Sequence, residues 1–343
     1  MKLPNDKNVP INLLSACFNN TSATYKFYWF LSILESVEEG QVQIEKRSLF
    51  ARMISLSWYT VNYFHVSFGK QDNIQQAIED IKTWESIEID FSQKIILEKL
   101  LNTSDRRTIS ALKHFDLNVP HKFLSPWLGP GTSSNIYEKS QEKTSSAPYS
   151  LYKDHIIVQA DWLEYFKSNM GVLKSFCYWH LALYLQARNP NVPDIPSKLQ
   201  RPISRGSLVN HKRNFWDLII TELGPVTCIY TGKKLGIDEY AVEHFVPFQF
   251  VAHDLMWNLI PADSTFNSKK GDKLPNFDKY FDSFFEIQKE GLKVIKTIAP
   301  KNRFLQEYLT IFPDFKIDKL KYEETIRPML TIAHNNGFQY LKL

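Results

Sequence analysis

Only three cysteines occur in the 343 residues, Cys17, Cys177 and Cys228, and no two of them form a Cys-x-x-Cys pair. This excludes a disulfide framework, leaves no paired thiolates for a structural zinc, and points to a reducing, cytoplasmic compartment. Long hydrophobic runs are missing too. The most apolar one, Tyr25 to Leu34, falls well short of the ~20 residues that a membrane helix needs. The N-terminus MKLPNDKNVP has neither the basic nor the apolar region of a secretory signal, so no membrane is implied. The glycines form no phosphate-cradling loop and no internal repeat recurs, which argues against an NTP-driven motor. Nor is there a strong charge of either sign. A formal net charge of +4 is compatible with a polyanionic partner and does not require one.

What is present is apolar and aromatic. Hydrophobic residues make up 43% of the chain and aromatics 14%, enough to bury a sizeable core in two or three domains. Residues 1–200 read as a helical domain. Helices are expected over Tyr25 to Leu34 and on toward Gly40, over Ile44 to Phe64, and in three shorter stretches, 74–84, 91–101 and 105–115. Aromatics at helical spacing are read as core and not as a ligand platform. Prolines, glycines and serines between 118 and 150 suggest a long surface loop or a subdomain break. Ile156 to Val158 then suggests a short strand, and a helix follows from Asp161 toward Arg188 until three prolines stop it. His180, amid aromatics on that helix, is read as a core histidine.

Between 198 and 213 the chain carries Lys198, Arg201, Arg205, Lys212 and Arg213 with no acid among them. Such a run, joined by Lys269, could track a nucleic-acid backbone, although a solvated linker explains the charge pattern equally well. Residues 226–275 hold the chemistry. VTCIYTGKKL reads as a strand entering a tight turn, AVEHF (241–245) as the return strand ended by Pro247, and TFNSKK as a short helix opened by Asp263 or Ser264. Strand, strand and helix would then face one small cleft.

The residue types suggest what that cleft does. Glu243 offers an anionic oxygen and Asn267 an amide oxygen, a sparse pair suited to a hard, largely hydrated divalent ion such as Mg²⁺ or Mn²⁺. Histidine is the one side-chain type here whose unperturbed pKa lies near neutrality, so His244 can take a proton from a water attacking phosphorus. Adjacent strand residues point to opposite faces, so Glu243 and His244 can share the cleft only where the strand ends or twists. Asn258 is read as the amide that fixes the backbone near His244, and Lys270 as a contact for a nonbridging or flanking phosphate oxygen. His253 and Asp254 are read as structural or capping loop residues.

The ordering Glu243-His244, Asn258, Asn267, Lys270, with the N-x-x-K-x-D segment NSKKGD, resembles the HNH or ββα-metal (His-Me finger) endonuclease motif. It is similar to the variant with a third-position asparagine found in the HNH domain of CRISPR effector nucleases. The resemblance covers roughly Cys228 to Pro275. It implies Glu243 and Asn267 as metal ligands, His244 as general base and Asn258 as the structural asparagine of the catalytic set. Two departures stand out: glutamate replaces the more usual aspartate, and the zinc knuckles of many members are absent, so packing must hold the hairpin.

The chain is therefore read as mainly α with a small α+β insert. It would comprise a helical region over 1–200 and a nuclease domain over 201–343, with a ββα core at 226–275 and a helical tail over 276–343. In that tail Tyr280, Phe281, Phe284, Phe285 and Ile287 are expected to face the core, with further helices over 303–312 and 323–334. The expected activity is metal-dependent phosphodiester hydrolysis with DNA favoured, in host defence or a mobile element. A protein partner or activator would act through the helical region. The alternatives are an inactive HNH-like binding module and an RNase.

Overall fold

The computed structural model describes residues 2–19, 21–129, 131–201 and 207–342. The chain is mainly helical with small antiparallel sheets, and it divides into two compact units. The first unit is Met1–Pro190 with Ile195–Arg201, and the second is Asn191–Asp194 with Pro202–Leu343.

In the first unit, α1 (Tyr25–Glu38), largely apolar in sequence, and α2 (Lys46–Asn62), which buries several polar residues as well, are covered on nearly every face. Two cations on α2 are buried and paired. Lys46 Nζ lies 2.7 Å from Asp116, and Arg52 lies 2.6 Å from Glu39 and 3.2 Å from Glu35. Around this pair stand α3 (Asn73–Trp84), α4 (Gln93–Asn102) and α5 (Arg106–His114), capped by Asp72, Ser92 and Asp105 in turn. A three-stranded antiparallel sheet is ordered β1 (Gln43–Glu45), β3 (His155–Val158), β2 (Tyr149–Leu151). The long α6 (Ala160–Arg188) packs against α1. His180 on α6 is half-buried against Phe176 and Phe18.

The 118–150 stretch differs from the loop anticipated for it. It forms three short helices, Val119–Phe123, Ser125–Leu128 and Ser133–Ser140, inside the first unit. Pro120 and Pro126 sit in the first turns of two of them, where a missing N–H costs nothing. Phe123, Leu124 and Ile136 anchor the stretch in the core.

The second unit opens its core with a π-turn over Lys212–Trp216 that leads into α7 (Asp217–Leu223). A short hairpin pairs β4 (Val226–Thr227) with β5 (Lys234–Leu235). The strand carrying the Glu-His pair, β6 (Tyr240–His244), does not return on that hairpin, which corrects the pairing inferred above. Its partner is β7 (Leu259–Asp263), in register from Tyr240↔Asp263 to His244↔Leu259. The physical reason is burial: Leu259, Ile260 and Ala262 are fully covered, and a strand buried on both faces reads as an unbroken apolar run without alternation. From β7 the chain passes directly into α8 (Ser264–Lys270), whose first turn is capped by Asp263 through the Phe266 N–H.

Two tail helices, α9 (Phe277–Ile298) and α10 (Lys319–Asn335), complete the unit. On α9, Tyr280, Phe281, Phe284 and Phe285 are buried, with Phe284 stacked on Phe245 at 4.1 Å between centroids. Ile287 is only half-buried, and its neighbour Gln288 takes the core position instead. Gly291 lets α9 approach α7 closely, since a Cβ there would lie 3.1 Å from Ile219 and 3.3 Å from Trp216.

Candidate active site

Glu243 and His244 end β6, and both are almost fully buried at 6% and 2% exposure. His244 is the last strand residue, so the alternation of faces relaxes there. Both residues line one cavity of about 420 Å³, together with Asn267 and Ser268 of α8, Gly271, Phe248 and Leu208. The chain just beyond His244 is locked by Asn258. Its carbonyl accepts from Phe245 N–H, its side-chain oxygen accepts from Val246 N–H, and its amide donates to Val246 O, each at 2.8 Å. Asn258 is wholly buried, so these bonds fill its donor and acceptor needs while extending the strand pairing past the end of β6.

The His244 ring is held from its far side. Asp254 Oδ1 lies 2.8 Å from His244 Nε2. An ionised carboxylate only accepts, so this contact places the proton on Nε2 and the ring's lone pair on Nδ1. The loop that delivers Asp254 turns through Ala252 at a positive φ of 58°. It is held afterward by Glu307, which accepts from Met256 N–H at 2.6 Å; burial pushes the Glu307 carboxyl above its usual range. Gln288 donates to Met256 O at 3.2 Å and to Leu259 O at 2.7 Å, and the Tyr322 hydroxyl donates to Trp257 O. His253 packs edge-on against Trp257.

Lys270 does not occupy the position expected of it. Its side chain has no exposed area, and its Nζ donates to Glu243 Oε1 at 2.6 Å and to His244 O at 2.9 Å. An ammonium so enclosed cannot meet a phosphate without abandoning Glu243, so its role is to hold the end of β6 against α8. The basic run is also redistributed. Lys198 is fully buried in the first unit, which removes it as a surface contact. Arg201, in the same unit, is exposed over the Tyr59 ring. Arg205 lies outside the described residues. In the second unit Lys212 faces Asp238 and the Tyr240 ring, while Arg213 and Lys269 are exposed.

The geometry has a counterpart among known sequences. Residues 228–276 match the family model of the HNH endonucleases. No curated protein and no solved structure matches the chain. The HNH segment therefore begins at Cys228, just after β4, and takes in the hairpin turn, β5, β6, β7 and α8. Cys228 is buried, and its sulfur accepts from Asp263 N–H at 3.4 Å, tying the hairpin to the start of α8. All three cysteines are buried and unpaired. Among the described residues no helix is long and apolar enough to cross a membrane.

HNH endonucleases generally use divalent metal ions. Among the described residues no group of three or more His, Cys, Asp or Glu side chains could hold a metal. The donors that share the cavity are one carboxylate, Glu243, and one amide, Asn267, both hard oxygens beside enough open volume for water and phosphate. Because Lys270 already occupies Glu243 Oε1, that donor set suits a hard divalent ion only through the second Glu243 oxygen and a largely hydrated shell.

Glu307 and Gln288 are the residues around the site that sequence reasoning missed, and Asp254 was read only as a structural or capping loop residue. Asp254 lay in a loop with no periodicity to orient it. Gln288 did carry a signal, as a lone amide in the apolar stripe formed by Phe281, Phe284, Phe285, Leu292 and Ile295.

Proposed function

We propose that the HNH segment is a metal-dependent endonuclease that hydrolyses phosphodiester bonds, with DNA the favoured substrate. The observation that carries this reading is the cavity where Glu243, His244 and Asn267 converge, with the His244 ring held through Nε2 by Asp254. In that arrangement Nδ1 accepts the proton of a water attacking phosphorus. Asp254 keeps the ring in that tautomer and balances the charge that develops on it. Asn258 fixes the backbone on which the ring is mounted. Glu243 and Asn267 would hold a Mg²⁺ or Mn²⁺ ion, which when bound supplies positive charge to the phosphate and the departing oxygen. Exposed Arg213 and Lys269 supply phosphate contacts. A role in host defence or a mobile element, with the helical unit receiving a trigger, follows as the biological setting.

The test is cleavage of supercoiled plasmid with Mg²⁺ or Mn²⁺ by the full chain, beside the His244→Ala and Asn267→Ala variants. The wild type should nick, and loss of the base should slow it by about 10²–10⁴-fold. Equal cutting by His244→Ala would remove the assignment of the base. Cleavage of labelled RNA alone would make the protein an RNase, and retention of DNA without cutting under either metal would favour an inactive binding module.

A further inference from the structure

The helical unit carries a second polar cavity, of about 350 Å³, whose properties differ from those of the HNH site. It lies where the start of α1 meets the short helix Val119–Phe123, and its walls include Thr21, Ser22, Tyr25, Lys26, Lys122 and Ser125. Both charged residues in its lining are lysines, and no carboxylate is among the lining residues. Lys26 is half-buried, and the partner in hydrogen-bonding range of its Nζ is a neutral carbonyl, Cys17 O at 3.3 Å. Burial pulls the Lys26 ammonium below its usual range, and the repulsion of Lys122 acts in the same direction. Asp72, next in sequence to the lining residue Gln71, is committed elsewhere: its carboxylate accepts from Thr24 N–H at 2.5 Å and Ile74 N–H at 3.0 Å.

Two lysines line one void with no acid in the lining; Lys122 is exposed, while Lys26 is partly desolvated and gains from an anion that enters. Two buried cations of this unit, Lys46 and Arg52, each have a carboxylate partner, whereas the acceptor near Lys26 Nζ is a carbonyl. The hydroxyls of Thr21 and Ser22 also line the cavity, whereas that of Ser125 donates to Lys122 O at 2.9 Å. A phosphoryl group, with three strong acceptor oxygens and close to two negative charges, matches the set. The volume falls at the lower end of the ~300–1,000 Å³ usual for small-molecule sites, leaving space beside Tyr25 for more than the phosphate itself.

We infer that this cavity binds the terminal phosphate of a small phosphate ester of mononucleotide size, making the helical unit a ligand-binding unit. The inference is independent of the nuclease reading and stands whether or not the HNH segment cuts.

Isothermal titration of the full-length protein should be run with inorganic phosphate, adenosine monophosphate, adenosine, and a trinucleotide with or without a 5′-phosphate. Lys122 is exposed, so Lys122→Gln leaves the fold intact; Lys26→Gln is the second variant, with its melting temperature recorded. Adenosine monophosphate should bind the wild type and adenosine should not. Either lysine variant should weaken binding at least tenfold while melting close to the wild type. Binding of the 5′-phosphorylated trinucleotide and not of the monophosphate would keep the phosphate assignment and move its source to strand ends. Binding of inorganic phosphate alone would overturn the ester. Absence of binding by every phosphorylated probe, equal binding of adenosine, or unchanged affinity in Lys122→Gln and a folded Lys26→Gln would overturn the site.

Discussion

The Lys270 ammonium lies 2.6 Å from Glu243 Oε1, with side-chain exposures of 0% and 8%, so the carboxylate next to His244 in sequence is already half of a buried ion pair. Truncating one member strands the other charge. Lys270→Met should therefore destabilise the second unit by about 3–5 kcal/mol, measured by urea unfolding, whereas Lys270→Met combined with Glu243→Gln should recover a large part of that loss. A double variant no more stable than Lys270→Met would show that the pair is not coupled.

The carboxylate of Asp254 acts on His244 and not on substrate. Replacing it by asparagine keeps the shape but lets an N–H face Nε2 as readily as an oxygen, so the ring can settle in the wrong tautomer. Turnover of Asp254→Asn should fall by about 10²-fold or more while KM and the melting temperature stay near wild type. A matched loss of turnover and stability would mark Asp254 as a loop anchor only.

Asn258 binds both backbone groups of Val246. Asn258→Ala leaves a buried N–H and a buried C=O without partners, at about 1–3 kcal/mol each. Cleavage should be lost along with that stability, because the same strand end carries His244. A variant that lost neither would contradict the clamp.

The Asp263 side chain caps α8, and the Phe266 N–H, helped by Lys233, holds its carboxyl below the usual carboxylate range. The native pKa is thus lower than the unfolded one. The cap's contribution is fully present above the unfolded value, near 3.8, and fades as pH falls through the native value. Thermal melts from pH 5 downward should show a steeper loss for the wild type than for Asp263→Asn, which keeps the cap without the titration. Parallel curves would place the acid sensitivity in other groups.

Arg213 and Lys269 are exposed near the site and are offered as phosphate contacts. Replacing either with glutamine should weaken DNA binding to the same extent across unrelated sequences and lower the slope of log K against log salt by about one. Fluorescence anisotropy over a salt series reads both, and an unchanged slope would exclude that residue.

How much of this was legible in the sequence depends on whether a residue acts within its own element or across elements. Helices α1 to α6 were legible in the sequence as apolar helical stretches, because that signal is local. The strand β7 did not, since its apolar run lacks the alternation of a half-exposed strand. Glu243, His244 and Asn267 were found from spacing and residue type. The contact of Asp254 with His244 and the burial of Lys270 were not legible, because each depends on where a loop or helix end comes to rest against another element. Lys198 failed for the same reason: a charge pattern does not reveal that a lysine has been folded inward.

Because β7 runs into α8 without an intervening residue, and β7 is paired to β6 along its whole length, His244 and Asn267 are spaced by covalent geometry and one helical turn. No hinge lies between them. The other walls come from elsewhere: Leu208 from the segment before the π-turn, Phe248 and Gln249 from the helical turn after Pro247, and Gly271, at φ 54°, from the end of α8. Such a cleft has a rigid floor and an adjustable rim, which would let descendants of this chain change the strands they admit while leaving the reacting centre untouched.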